Sequence, residues 1–151
     1  MTIYRTEHLE NHEEVFVQTN IEEEGAGLLA SAPRTGIRIA VVGSRNFFDY
    51  RLLKKELDEF LTKGATLVSG GVSGADALAE KYARENGREI EVIKPDWITY
   101  GPSAGFRRNR EIVEKATMVV AFWDGNSKGT AHTIQLAQTE GKPVHIIRFS
   151  K

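Results

Sequence analysis

The chain has 151 residues, enough for one domain with a buried core, and an ordinary composition of 40% hydrophobic and 27% charged residues. A net charge of -1 excludes a global pull toward nucleic acid or anionic membrane, so any anion site must be local. The absence of cysteine excludes disulfides and thiolate metal sites. No apolar run is long enough for a leader or a membrane span, so cytoplasmic residence is expected.

Residues 1–35 read as an acidic arm, with Glu13, Glu14, Glu22, Glu23 and Glu24 and the breakers Gly25 and Gly27. Such composition suits a mobile or loosely docked segment. Val15-Phe16-Val17 reads as a short strand within it. A sharper reading is an arm that pairs with a second subunit, giving a homo-oligomer. The folded domain is expected over 36–151, after Pro33 and Gly36.

Ile37 to Val42 is a β-branched apolar run and reads as a buried parallel strand, ending in Gly43-Ser44-Arg45. Tyr50 to Lys63 places Leu53, Leu57, Phe60 and Leu61 on one helical face, with Asp49 as its N-cap and Gly64 as its C-cap. Ala65 to Ser69 reads as the second strand. It runs into Gly70-Gly71-Val72-Ser73-Gly74-Ala75-Asp76, then a helix over Asp76–Glu85 that ends at Asn86-Gly87. Glu89 to Ile93 reads as the third strand, stopped by Pro95.

Asp96 to Gly105 reads as a loop. The basic stretch Arg107-Arg108-Asn109-Arg110 then opens a helix that continues to Lys115. Met118 to Phe122 reads as the fourth strand, leaving through Trp123-Asp124-Gly125-Asn126-Ser127-Lys128-Gly129-Thr130. A helix over Ala131–Glu140, capped by Gly141, leads to a last strand, Val144–Ile147. Alternating strands and helices predict an α/β fold with a mainly parallel sheet of about five strands covered on both faces. Ligands in such sheets bind beyond the carboxyl ends of the strands, where strand order reverses.

The distinctive residues all fall at that edge. Glycines between a buried strand and a helix let the backbone approach a ligand, and the helix start offers unpaired N–H groups. The spacing of Gly70, Gly71 and Gly74 is neither the dinucleotide fingerprint nor a Walker loop. Asp76 reads as a helix cap or as a contact to a ribose hydroxyl. Gly43, Ser44 and Arg45 read as a plain turn or as a phosphate and ribose contact. Arg107, Arg108 and Arg110 read as a solvated helix start. Alternatively, because cations there oppose the helix dipole, they serve a bound anion. Asn109 reads as a cap or as a contact to a base edge or ribose. Gly125, Ser127, Gly129 and Thr130 offer N–H groups and hydroxyls at a further helix start. Asp124 reads as a turn former or as the acid at the mouth of the site. His8, His12, His132 and His145 lack metal-ligand spacing, so no metal is expected. No cofactor is expected either.

Four loops carry a family resemblance. They are Val42-Gly43-Ser44-Arg45 with Phe47 and Asp49; Ser69-Gly70-Gly71 with Gly74-Ala75-Asp76; Gly101-Pro102 with Arg107-Arg108-Asn109; and Trp123-Asp124-Gly125 with Ser127 and Gly129-Thr130. In this order they resemble the SLOG superfamily of Rossmann-like proteins, YspA-type branch, over residues 37 to 150. The resemblance implies a three-layer Rossmann-like fold that binds a nucleotide or nucleotide-derived small molecule, as a sensor or a processing enzyme. One set of relatives, the cytokinin-activating phosphoribohydrolases, cleaves an N-glycosidic bond and carries a glutamate after Gly-Thr. Here Ala131-His132-Thr133-Ile134 follows, with no acid until Glu140. Another relative, DNA-processing protein A, shares the Gly-Ser-Arg turn and a stretch like Phe106-Arg107-Arg108-Asn109-Arg110. That likeness implies a single-stranded nucleic-acid-binding module as the alternative, with Trp97 and Trp123 as stacking partners. The nucleotide reading expects Gly71, Arg107 and Gly129 to share one hollow.

Overall fold

The computed structural model describes residues 2–8, 14–20, 36–61 and 64–150. Seven strands form one sheet: β1 (Thr2–His8), β2 (Glu14–Asn20), β3 (Arg38–Gly43), β4 (Thr66–Ser69), β5 (Ile90–Val92), β6 (Met118–Trp123) and β7 (Val144–Arg148). Their order is β1-β2-β7-β6-β3-β4-β5. The five strands from β7 to β5 are parallel, as the apolar runs predict. The strand expected at Val15–Val17 lies within β2, which pairs antiparallel with β7 and with β1. The rest of the expected acidic arm, at 1, 9–13 and 21–35, lies outside the described residues.

The helices are α1 (Tyr50–Phe60), α2 (Ala75–Glu85), the short α3 (Trp97–Tyr100), α4 (Ala104–Lys115) and α5 (Lys128–Thr139). Neighbouring residues of a strand point to opposite faces, and β3 shows the consequence. Ile39 and Val41 join Leu53 and Leu57 of α1 and Tyr82 of α2 in one core. Ala40 and Val42 join Ile112 and Val113 of α4 and Ile134 and Ala137 of α5 in the other. The chain therefore leaves β3 toward one face and β6 toward the other. Since β3 and β6 are neighbours, their carboxyl ends form the switch point at which a crevice opens.

Several expected boundaries differ, and α5, expected from Ala131, begins at Lys128. Helix α1 stops at Phe60, and Leu61 turns extended to bury its side chain, so Gly64 is not the C-cap. Helix α2 begins at Ala75 with Gly74 as its N-cap, so Asp76 is the second helical residue and not the cap. The stretch expected as a loop over 96–105 contains α3, capped by Asp96, then a 3-10 turn at Gly101–Ser103. Buried Ala104 already belongs to α4. Arg107 is thus the fourth residue of that helix, and the basic stretch does not open it. The dipole argument loses force there, because the field fades within the first turn. Asp49 does cap α1, accepting the Leu52 N–H at 3.1 Å.

Candidate functional site

A cavity of about 480 Å³ opens at the switch point. From the β3 end come Gly43, Ser44 and Arg45; from α2, Asp76; from α4, Arg108 and Asn109. The β6 end and α5 supply Asp124, Ser127, Gly129 and Thr130. These ten expected residues share one hollow.

Ser44 ties its two walls together. Its N–H donates to the Phe122 carbonyl at 2.9 Å. Its Oγ accepts the Asp124 N–H at 3.2 Å and the Ser127 hydroxyl at 2.8 Å. Phe47, stacked on Phe122 at 4.7 Å between ring centres, anchors the loop that carries Arg45. Ser44 is itself buried, so the expected hydroxyl contact to a ligand is largely spent on joining the strands.

Five expected residues lie outside the lining. Gly74 packs under the Ser44–Arg45 backbone, where a Cβ would stand 2.3 Å from the Ser44 carbonyl oxygen. Gly70 lies against Arg108 and Asp76, while Gly71 lies against Val92 and Lys94. Gly125 lies against the Arg148 guanidinium. Arg107 points outward, its Nε donating to Ser103 Oγ at 3.1 Å and its guanidinium over the Tyr100 ring at 4.4 Å. The expected trio of Gly71, Arg107 and Gly129 therefore does not share the hollow; Gly129 alone of the three lines it. Most of the loop glycines are required by close packing of the protein on itself. At Gly129 a Cβ would meet nothing within 4 Å, so this glycine faces open space.

Arg108 is the cation that the helix phase turns inward. Ala104, Arg108 and Ile112 recur at four-residue intervals and share a face of α4. Its Nη1 donates to the Gly70 carbonyl and its Nε to Asn109 Oδ1 at 3.0 Å. Burial lowers its pKa, while nearby Asp76 opposes that shift. Guanidinium remains charged at any ordinary pH.

The two carboxylates differ sharply. Asp76 is only 4% exposed, and burial raises its pKa to about 6 despite the Val72 N–H donated to its Oδ2 and the charge of Arg108. At Asp124, burial also acts upward, but hydrogen bonds from the Asn126 and Ser127 N–H groups and from the Ser127 and Ser44 hydroxyls prevail. They hold it at about 2. Both N–H contacts to its Oδ1 are 2.8 Å, which is the geometry of a turn-forming aspartate. A carboxylate held this way is a weak base.

Asn46, Val72, Lys128 and Thr133 also line the cavity and were missed from the sequence. Lys128 and Thr133 were readable in principle. Starting α5 at Lys128 puts a cation on its first turn and brings Thr133 to the face of Gly129 and Thr130. No group of three metal-ligating side chains occurs among the described residues. No described helix is long and apolar enough to cross a membrane.

Comparison with known proteins follows the same lines. No curated protein matches the sequence. Among solved structures, the fold is similar to DNA processing protein A from Helicobacter pylori, which has a single-stranded DNA binding mode. The TM-score is 0.56 and the identity 19%, over 93% of this chain and 79% of that one. It is also similar to DNA processing protein A (DprA) from Streptococcus pneumoniae, with TM-score 0.57 and 19% identity, over 85% of this chain and 53% of the other. This chain thus spans about half the length of the streptococcal protein. At this identity the likeness is one of fold. Residues 37–100 match the family model described as YspA, cpYpsA-related SLOG family. The stretch from β3 to the end of α3, with the loops that follow β3 and β4, is thus similar to that family.

Proposed function

We propose that the cavity binds a nucleotide or nucleotide-derived small molecule, and that residues 36–151 form the binding unit with 1–35 as an accessory arm. The observation that carries this reading is the open amino end of α5, with Gly129 facing free space in a hollow shared with Arg108. In this reading the N–H groups of Gly129 and Thr130 hold a phosphate, which the α5 dipole and Lys128 attract. Arg108 and Arg45 neutralise the remaining charge. Asp76, ionised in most molecules at neutral pH, accepts from sugar hydroxyls. The volume lies within the range of small-molecule sites.

Sensor and enzyme are both compatible with this site. If a proton moves during turnover, Asp76 is better suited to carry it than Asp124, because its pKa of about 6 lies near neutrality.

A second reading, a single-stranded nucleic-acid module, is favoured by the exposed Trp97, Tyr100 and Phe106, with the Arg107 guanidinium over the Tyr100 ring. The Helicobacter DNA processing protein A, which binds single-stranded DNA, shares the fold.

Calorimetric titration with AMP and with an oligothymidylate, each at rising salt, separates the two readings. AMP binding with little oligonucleotide affinity is expected. Arg108→Ala should weaken AMP binding by about tenfold or more, as for a buried charge-assisted contact. Oligonucleotide affinity that falls steeply with salt, without AMP binding, would favour the module. Binding of neither ligand refutes both.

A further inference from the structure

We propose that His132 is a positioning residue that holds Arg108 in the cavity by acting through Asn109. This rests on the reading of the cavity as an anion site. His132 lies on α5 just beyond the Gly129-Thr130 pair, and the ring of Phe106 packs edge-on against it at 4.6 Å. Its Nδ1 stands 3.3 Å from Asn109 Nδ2. The same Nδ2 points to the Gly129 carbonyl at 3.4 Å. Asn109 Oδ1 accepts from Arg108 Nε at 3.0 Å, and the far end of that guanidinium is fixed by the Gly70 carbonyl.

The orientation of the amide is determined. Flipping it would set an oxygen against the Gly129 carbonyl and an NH2 against the Arg108 Nε–H. With Nδ2 toward α5, His132 can only accept, so its Nδ1 must be bare and its proton must sit on Nε2. A proton on Nδ1 would oppose donor to donor, push Asn109 away and release one tether of Arg108. Asn109 is 7% exposed, so no water readily replaces the lost partner. Burial and Arg110 on α4 both disfavour the charged imidazole, which keeps the relay intact at neutral pH. Lys128, also cationic, lies one turn before His132 on α5. Asp76 and Arg45 are the charged groups that face Arg108 itself.

The experiment follows the imidazole nitrogens and the Arg108 Nε–H by NMR while the pH is lowered, alongside binding of sulfate, whose charge does not change over this range. The expected result is an Nε2–H tautomer at neutral pH. The Arg108 Nε–H signal should then move with a component that shares the midpoint of His132. That component should vanish in His132→Asn, whose Oδ1 replaces Nδ1 as a non-titrating acceptor; movement that persists belongs to Asp76. His132→Leu should weaken sulfate about fivefold, the worth of one hydrogen bond. His132→Asn should restore the affinity and remove its acid limb. An Nδ1–H tautomer, an Arg108 signal indifferent to His132, or unchanged sulfate binding in His132→Leu overturns the inference. If neither sulfate nor AMP binds the wild type, the anion-site reading fails, and the two NMR results still decide the positioning role.

Discussion

Gly74 and Gly129 are chemically identical residues at two helix starts, and replacing each with alanine should give opposite results. Gly74 has φ +77 and ψ -130, a combination that residues with a Cβ avoid. An added Cβ would stand 2.3 Å from the Ser44 carbonyl oxygen and 2.6 Å from the Arg45 backbone carbon, against 3.4–4 Å for ordinary contact. Those are backbone atoms, tied to β6 by the Ser44 N–H and anchored by Phe47, so they cannot yield cheaply. Strain of about 1–3 kcal/mol plus the clash gives a destabilisation of about 3 kcal/mol or more. For a domain of this size that lowers Tm by about 6–12 °C. The loop bearing Arg45 should shift as well, weakening any ligand. At Gly129 the added methyl meets nothing within 4 Å and φ is not positive. Gly129→Ala should therefore fold with unchanged or slightly greater stability, the gain being at most about 1 kcal/mol of helix propensity. Its methyl, however, narrows the space where the phosphate is proposed to sit. Urea unfolding and AMP titration of both variants provide the assay. Equal stability losses in the two variants, or a Gly74→Ala protein as stable as the wild type, would refute the packing argument. A Gly129→Ala protein that binds AMP normally would remove the α5 start from the site.

Arg107→Ala should bind AMP within about twofold of the wild type, since that side chain is occupied with Ser103 and Tyr100 outside the cavity. A loss as large as that of Arg108→Ala would show that the helix phase has been misread. Asp76 is shifted upward, so the unfolded chain releases its proton first as pH rises, and folding stability falls between roughly pH 4 and 6. The fall is about 3 kcal/mol, and urea unfolding of Asp76→Asn should lack it; superimposable pH profiles would contradict the shift. Asp124 is shifted downward, so its contribution is present above about pH 4 and lost as pH falls toward 2. Acid unfolding of Asp124→Asn should be correspondingly less steep, and an unchanged profile would argue against the hydrogen bonds assigned to its carboxylate.

What the residues alone determined is local or periodic. The apolar runs of β3 and β6 bury on both faces, and Leu53 and Leu57 recur at a helical interval. The cap at Asp49 and the small residues at the carboxyl edge likewise need only a few neighbours in sequence. Placing the site at that edge follows from alternation of strands and helices, because a parallel sheet leaves its loops at two opposite ends. The tertiary structure decided which of the edge residues meet. Gly70, Gly71, Gly74 and Gly125 look like ligand-facing glycines in sequence, but Arg108, Lys94, the Ser44–Arg45 backbone and Arg148 fill the space beside them. Arg107 and Arg108 are adjacent, yet the start of α4 at Ala104 sets a phase that turns one outward and the other in. The unequal acidities of Asp76 and Asp124 depend on burial and on N–H groups aimed through space. Such quantities arise only when strands distant in the chain lie side by side, and a single sequence records no distance between them.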